Sequence, residues 1–139
     1  MPKVNSRIRS IYRTLLVALW LIAPAFAAEH TKDSLDTVKE KIKDEKAVLV
    51  DVREEKEWNA GHLQDARQLP LSRLEKGVAA EKLAKILPKD KVIYVHCAAG
   101  GRCLPAAEIL KKQGYDVRPL KAGYKQLLES GFAKAKPEK

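Results

Sequence analysis

The residues best suited to chemistry fall together, at His96-Cys97-Ala98-Ala99-Gly100-Gly101-Arg102-Cys103. An apolar run, Val92-Ile93-Tyr94-Val95, leads into them, and a helical pattern beginning near Leu104 follows at once. A strand, a tight loop and a helix start in that order aim the loop amides and the helix N-terminus at one spot, which favours an anion. A thiol at that spot loses its proton more readily than an ordinary cysteine at about 8.5, so Cys97 becomes a nucleophile at neutral pH. Ala98, Ala99, Gly100 and Gly101 leave room for the backbone to curl round the sulfur, since none carries a bulky side chain and glycine tolerates positive φ. Arg102 adds a fixed positive charge with a fork of donors matched to an oxyanion. A buried structural cysteine before an ordinary Gly-Gly turn would need neither the strand-end position nor the arginine.

The remaining polar residues invite plainer roles. Asp51 and Arg53 end a buried apolar run and are expected to form an ion pair bracing the active-site side of the sheet. His62, in Gly61-His62-Leu63, suits loop bracing or capping rather than base catalysis. His96 adjoins Cys97 on a strand and therefore points to the opposite side, which disfavours a Cys-His pair. Trp58 and Tyr94 fit packing. His96, Cys97 and Cys103 lack ordinary zinc spacing, so neither a metal nor a cofactor is expected.

The elements that must position Cys97 alternate. Leu35, Val38 and Ile42 recur at helical spacing between Ser34 and Asp44, with Asp33 or Ser34 as cap. The run from Ala47 to Val52 is too uniformly apolar for a half-exposed strand and suits a parallel strand covered on both faces, as does Val92 to Val95. Arg67 to Pro70 and Asp116 to Leu120 are weaker strands bordered by proline, as edge positions allow. Helical patterns run from Val78 to Leu87, Leu104 to Gln113 and Tyr124 to Ser130, stopped by Pro88, Gly114 and Gly131. The alternation predicts an α/β fold with a mostly parallel central sheet and helices on both faces, binding ligands where strands end and helices begin. One domain, 29–139, is expected, with Lys134 to Lys139 as a frayed tail.

Residues 1–28 read differently, as a secretory signal peptide. Lys3, Arg7, Arg9 and Arg13 precede an apolar stretch from Leu15 to Ala23, a break at Pro24 and the small-residue pattern Ala25-Phe26-Ala27 before Ala28. Its bacterial spacing predicts a periplasmic mature chain that would meet a membrane only through an uncleaved leader. The formal charge of +9 from 27 Lys+Arg and 18 Asp+Glu drops to +5 once those four leader residues are removed. So mild an excess, with Lys and Glu mingled along helices and no basic stripe interleaved with aromatics, argues against nucleic-acid binding. Two cysteines cannot staple a mini-protein, and the remaining hundred or so residues suffice for a hydrophobic core. A monomer is expected.

Cys97-x-x-Gly100-x-Arg102 after an apolar strand resembles the active-site loop of the rhodanese family. Asp51-Val52-Arg53-Glu54 with Glu57-Trp58, Gly61-His62-Leu63 and Leu69-Pro70-Leu71 resembles its upstream signature. Gly114-Tyr115-Asp116-Val117 and Leu120-Lys121-Ala122-Gly123-Tyr124 are similar to its closing strand and final helix start. The resemblance implies a rhodanese-like domain acting as a thiosulfate-type sulfurtransferase, with Cys97 carrying a persulfide between an anionic donor such as thiosulfate and a thiophilic acceptor. The residues Ala98, Ala99, Gly100, Gly101, Arg102 and Cys103 would hold the substrate, with Arg102 orienting the donor. With the leader, the chain looks like the small periplasmic members of the phage-shock type. Four residues separate Cys97 from Arg102, one fewer than in the related cysteine phosphatases, and the tighter loop fits a persulfide better than a phosphate. Two departures stand out. Ala122-Gly123 replaces a frequent pair of glycines and is expected to affect only a turn. Cys103 replaces a usual Ser or Thr, and is either a tolerated small residue packed beneath the loop or the partner of Cys97 in a dithiol–disulfide pair serving redox or sulfur-carrier chemistry.

Overall fold

Side-chain alternation along two buried strands sets the architecture. The computed structural model describes residues 27–137, so the leader reading, apart from Ala27 and Ala28, lies outside the described residues. In chain order the elements are α1 (Leu35–Lys43), β1 (Ala47–Asp51), α2 (Glu55–Ala60), β2 (Ala66–Gln68), α3 (Leu71–Glu75), α4 (Ala80–Ile86), β3 (Val92–His96), α5 (Cys103–Lys112), β4 (Val117–Pro119) and α6 (Tyr124–Glu129). The four strands form one parallel sheet in the order β2-β1-β3-β4. β1 and β3 lie at its centre, paired from Ala47↔Val92 to Asp51↔His96. The short outer strands carry or precede Pro119 and Pro70, where a missing N–H leaves no ladder bond unmade.

Because successive side chains face opposite ways, the two central strands feed two cores. Val48, Val50, Ile93 and Val95 pack with Leu71 and Leu74 of α3, Leu83 of α4, and Ala106, Ala107 and Leu110 of α5. Ala47, Leu49 and Tyr94 pack with Val38 of α1, Leu63, Leu120 and Leu127 of α6. The sheet is thus covered on both faces, as the dense apolar runs require. Ser34 caps α1, its Oγ accepting the Thr37 N–H at 3.1 Å. Leu87 turns extended ahead of Pro88 and ends α4.

Outside the helices and strands, two segments differ from expectation. The start of the tail is not frayed: Gln64 N–H donates to Ala133 at 2.8 Å and Ala135 N–H to His62 at 2.9 Å, making an antiparallel bridge at Leu63 and Lys134. Its Lys-Ala composition hides the fact that backbone groups alone hold it. Residues 28–33, which show no periodicity, form a strap across the carboxyl ends of β3 and β4. Ala28 is buried and donates to Glu108 at 3.2 Å. Thr31 N–H donates to Pro119 at 2.8 Å. Asp33 accepts hydrogen bonds from Tyr94 and, at 2.9 Å, from Arg118.

Candidate active site

β3 ends at His96, and the chain turns immediately round the Cys97 sulfur. The turn is fixed from the far side by α6, whose Tyr124 N–H donates to the Cys97 carbonyl at 2.9 Å. Gly123, just before it, approaches so closely that a Cβ there would lie 1.9 Å from the Ala98 carbonyl oxygen. Gly100 adopts φ +88°, and a Cβ on it would come within 2.6 Å of the Lys121 carbonyl oxygen. Both conditions demand glycine. From this position Gly100 donates its N–H to Cys97 Sγ at 3.0 Å. Its carbonyl accepts a 2.8 Å bond from His30 Nε2, so the strap pins the loop from outside.

Cys103 is the first residue of α5 and is fully buried. As a thiol donor beside the Cys97 sulfur it is the largest influence drawing Cys97 down to about 5. Burial opposes that effect and loses, because the amides of Ala99, Gly100 and Cys103 favour the anion as well. The neighbouring Cys97 and burial together push the Cys103 thiol up. The arrangement favours the thiolate at Cys97 and the protonated thiol at Cys103. Cys97 is itself only 1% exposed, so the nucleophile sits at the bottom of its loop.

Arg102 is placed differently from a fork open to a ligand. Its Nη1 and Nη2 donate to the two carboxylate oxygens of Glu57, each at 2.7 Å. Hydrogen bonding to Arg102 is the main cause that lowers Glu57 to about 2. Asp51 and Arg53 form a buried ion pair at 2.7 Å, and Arg53 also donates to the Gly61 carbonyl at 2.8 Å. The Arg53 guanidinium lies 4.0 Å over the Tyr124 ring. These two residues reach the loop through α6 and do not touch the sulfur. His96 faces Asp51 at 3.6 Å, and burial lowers its affinity for a proton. His62 stacks on Trp58 with ring centroids 3.7 Å apart, and its Nδ1 donates to the Trp58 carbonyl at 3.1 Å, closing the end of α2.

The structure thus brings Cys97, Ala98 to Arg102 and Cys103 into one loop and sets Asp51 and Arg53 behind it. Three further residues shape the site. Gly123 does more than turn the chain, since the loop backbone rests against it. Glu57 lies within the Glu57-Trp58 pair, but its partner is 45 positions away. His30 precedes every periodic element and carries no local signal. Beside Ala99 an open cleft of about 610 Å³ is lined by Leu35, Lys121, Ala122, Gln126 and Glu129.

A family model described as a Rhodanese-like domain matches residues 34–130. An uncharacterized protein of Bacillus subtilis, YqhL, is 37% identical over 82 residues, covering 58% of this chain and 60% of that protein. A tRNA uridine(34) hydroxylase of Salmonella newport is 30% identical over 113 residues, 78% of this chain but 32% of its own length. The chain therefore spans less than two thirds of these curated relatives. Among solved structures, a human single-domain sulfurtransferase superposes with a TM-score of 0.60 at 26% identity, covering 70% of this chain and 94% of that one.

Proposed function

From the premise that the chain belongs to the Rhodanese-like domain family, we propose that it is a thiosulfate-type sulfurtransferase. Family membership alone leaves the chemistry open, given that one relative is named a hydroxylase and another a sulfurtransferase. The observation that carries the reading is the Cys97 sulfur, which accepts the Gly100 N–H at 3.0 Å in surroundings that favour its thiolate. In the first half-reaction that thiolate attacks the outer sulfur of the donor. The new S–S bond forms as the old one breaks, and sulfite leaves with the electron pair. In the second, a thiophilic acceptor such as a thiolate or cyanide attacks the outer sulfur of the Cys97 persulfide, and Cys97 leaves as thiolate. Loop N–H groups, fixed before either step, stabilise the anion in both.

The cleft beside Ala99 is the proposed approach for the acceptor. The proposal extends to a periplasmic, phage-shock-type monomer whose mature chain begins near Ala28, supported by the succession of basic, apolar and small residues before it.

The test is a mass spectrum of the peptide containing Cys97 after incubation with thiosulfate. One added sulfur is expected in wild type and none in Cys97→Ser, whose turnover should fall below about a hundredth because a hydroxyl cannot carry a sulfane sulfur. Turnover in Cys97→Ser above that level would place the carrier elsewhere. The second reading, a Cys97/Cys103 dithiol–disulfide pair, draws support from the influence of the Cys103 thiol on Cys97. Against it stands the protonated, fully buried state of Cys103, since the attacking species in disulfide exchange is a thiolate. Wild type isolated as the disulfide, with a persulfide appearing only in Cys103→Ser, would establish that second reading.

A further inference from the structure

Within the sulfurtransferase reading, we propose that Glu57 is a specificity-determining residue: by occupying Arg102, it weakens the site's hold on thiosulfate and other small inorganic oxyanion donors without excluding them, and so opens the site to sulfane sulfur carried on organic thiols as well. An arginine one residue before α5 would ordinarily offer its planar fork to a sulfonate or sulfate-like group. Here both outer nitrogens are already taken by the two oxygens of one carboxylate, in the bidentate geometry that an oxyanion donor would itself need.

Glu57 is not merely drawn into place by the arginine. It occupies the first turn of α2, and its Oε2 also accepts the Glu54 N–H at 3.0 Å. Glu54 in turn accepts from Ser72 Oγ at 2.7 Å, which ties the start of α2 to α3. The carboxylate is therefore aimed at Arg102 by a braced helix. The other arginine near the loop, Arg53, is buried against Asp51 and the Gly61 carbonyl. Neither guanidinium is left open to a small dianion. Such a donor gains Arg102 only by displacing a preorganised carboxylate, and until then it faces that carboxylate's negative charge. An organic persulfide delivers its outer sulfur to Cys97 without needing Arg102, so it avoids the competition. Because the pair is about one-third exposed, with side chains 33% and 36% accessible, a donor can reach it and the bias is graded rather than absolute.

Glu57→Gln tests this, because glutamine keeps an acceptor for the Glu54 N–H while removing the charge. For Cys97 sulfuration, the ratio of kcat/KM with thiosulfate to kcat/KM with glutathione persulfide should rise about three- to five-fold, the size expected for a partly exposed ion pair. The gain should lie in the thiosulfate KM. Adding Arg102→Ala to Glu57→Gln should remove it. A readout independent of turnover is protection of Cys97 from iodoacetamide by sulfite, whose half-protecting concentration should fall by the same factor. An unchanged donor ratio and unchanged sulfite protection in Glu57→Gln would overturn the assignment, as would a gain that survives Arg102→Ala. If sulfite protection shifts as expected while no donor ever sulfurates Cys97, the sulfurtransferase reading fails and the competition between Glu57 and oxyanions for Arg102 stands.

Discussion

Replacing Cys103 by alanine removes one donor from the Cys97 thiolate and leaves the loop amides in place. A hydrogen bond to a charged group contributes about 1.5–3 kcal/mol, and one pKa unit corresponds to about 1.4 kcal/mol. Cys97, held at about 5, should therefore rise to about 6–7 in Cys103→Ala, towards the lower end because a thiol is a weak donor. At pH 7 the thiolate fraction would fall from nearly complete to roughly one half to nine tenths, while the intrinsic nucleophilicity of the sulfur rises with its basicity. Turnover at neutral pH should thus change less than about two-fold, and the whole effect should appear on the acid limb. The assay is the pH dependence of iodoacetamide alkylation, compared among wild type, Cys103→Ala and Cys103→Ser. Serine restores a donor of similar reach, so its profile should follow wild type and sulfur transfer should stay within a few-fold. An alanine profile superimposable on wild type, or a serine profile displaced as far as alanine, would refute the claim that the Cys103 thiol stabilises the anion.

Gly123→Ala places a methyl 1.9 Å from the Ala98 oxygen, so the loop must shift; a loss of about 1–3 kcal/mol in thermal unfolding and a marked fall in kcat are expected, and an unperturbed enzyme would show that the loop does not depend on α6. His30→Ala deletes the 2.8 Å bond to Gly100 and should lower kcat/KM by about two- to ten-fold, matching one net hydrogen bond, while His30→Gln recovers part of it; equal activity in all three would mean the strap merely covers the loop. Stability should also report Cys97 directly. Its folded pKa of about 5 lies below that of the unfolded thiol, so the unfolded chain binds more protons between the two values and stability rises with pH there. The contribution is fully present above about 8.5 and lost as pH falls through 5. The melting temperature of wild type relative to Cys97→Ala should climb over that window, and parallel curves would contradict a depressed thiol.

The central architecture was readable because β1 and β3 are buried on both faces, which leaves a dense apolar signature, and because parity along β3 separates His96 from Cys97 without any tertiary information. α2 and α3 gave no comparable signal: at six and five residues they are shorter than two helical turns, too short for periodicity to stand out. The loop itself was legible as a strand-end thiol followed by small residues. Its supports were not. Glu57 finds Arg102 across 45 residues, His30 reaches Gly100 across 70 and Ala28 reaches Glu108 across 80. Contacts of that separation depend on how the strap and α2 are laid over the sheet, and local composition records nothing of it. The expectation that Arg102 stands open to an anion missed for that reason, since an isolated arginine looks unpaired in sequence.

Strand parity also decides what kind of charge stabilises the nucleophile. Asp51 and His96 face the core formed with α1 and α6, and Asp51 is neutralised there by Arg53, whereas Cys97 turns to the α5 side, where no cationic side chain among the described residues hydrogen-bonds to its sulfur. The thiolate is held by backbone N–H groups and a neutral thiol. Such donors are fixed by the fold and are not titrated away near neutral pH, so the anion rests mainly on groups that a substrate does not displace. The guanidinium of Arg102, the arginine within the loop, is spent on Glu57. Two functions are thereby separated: the Cys103 thiol and the loop amides chiefly set the reactivity of the sulfur, and the Glu57–Arg102 pair is left to act on which donor reaches it.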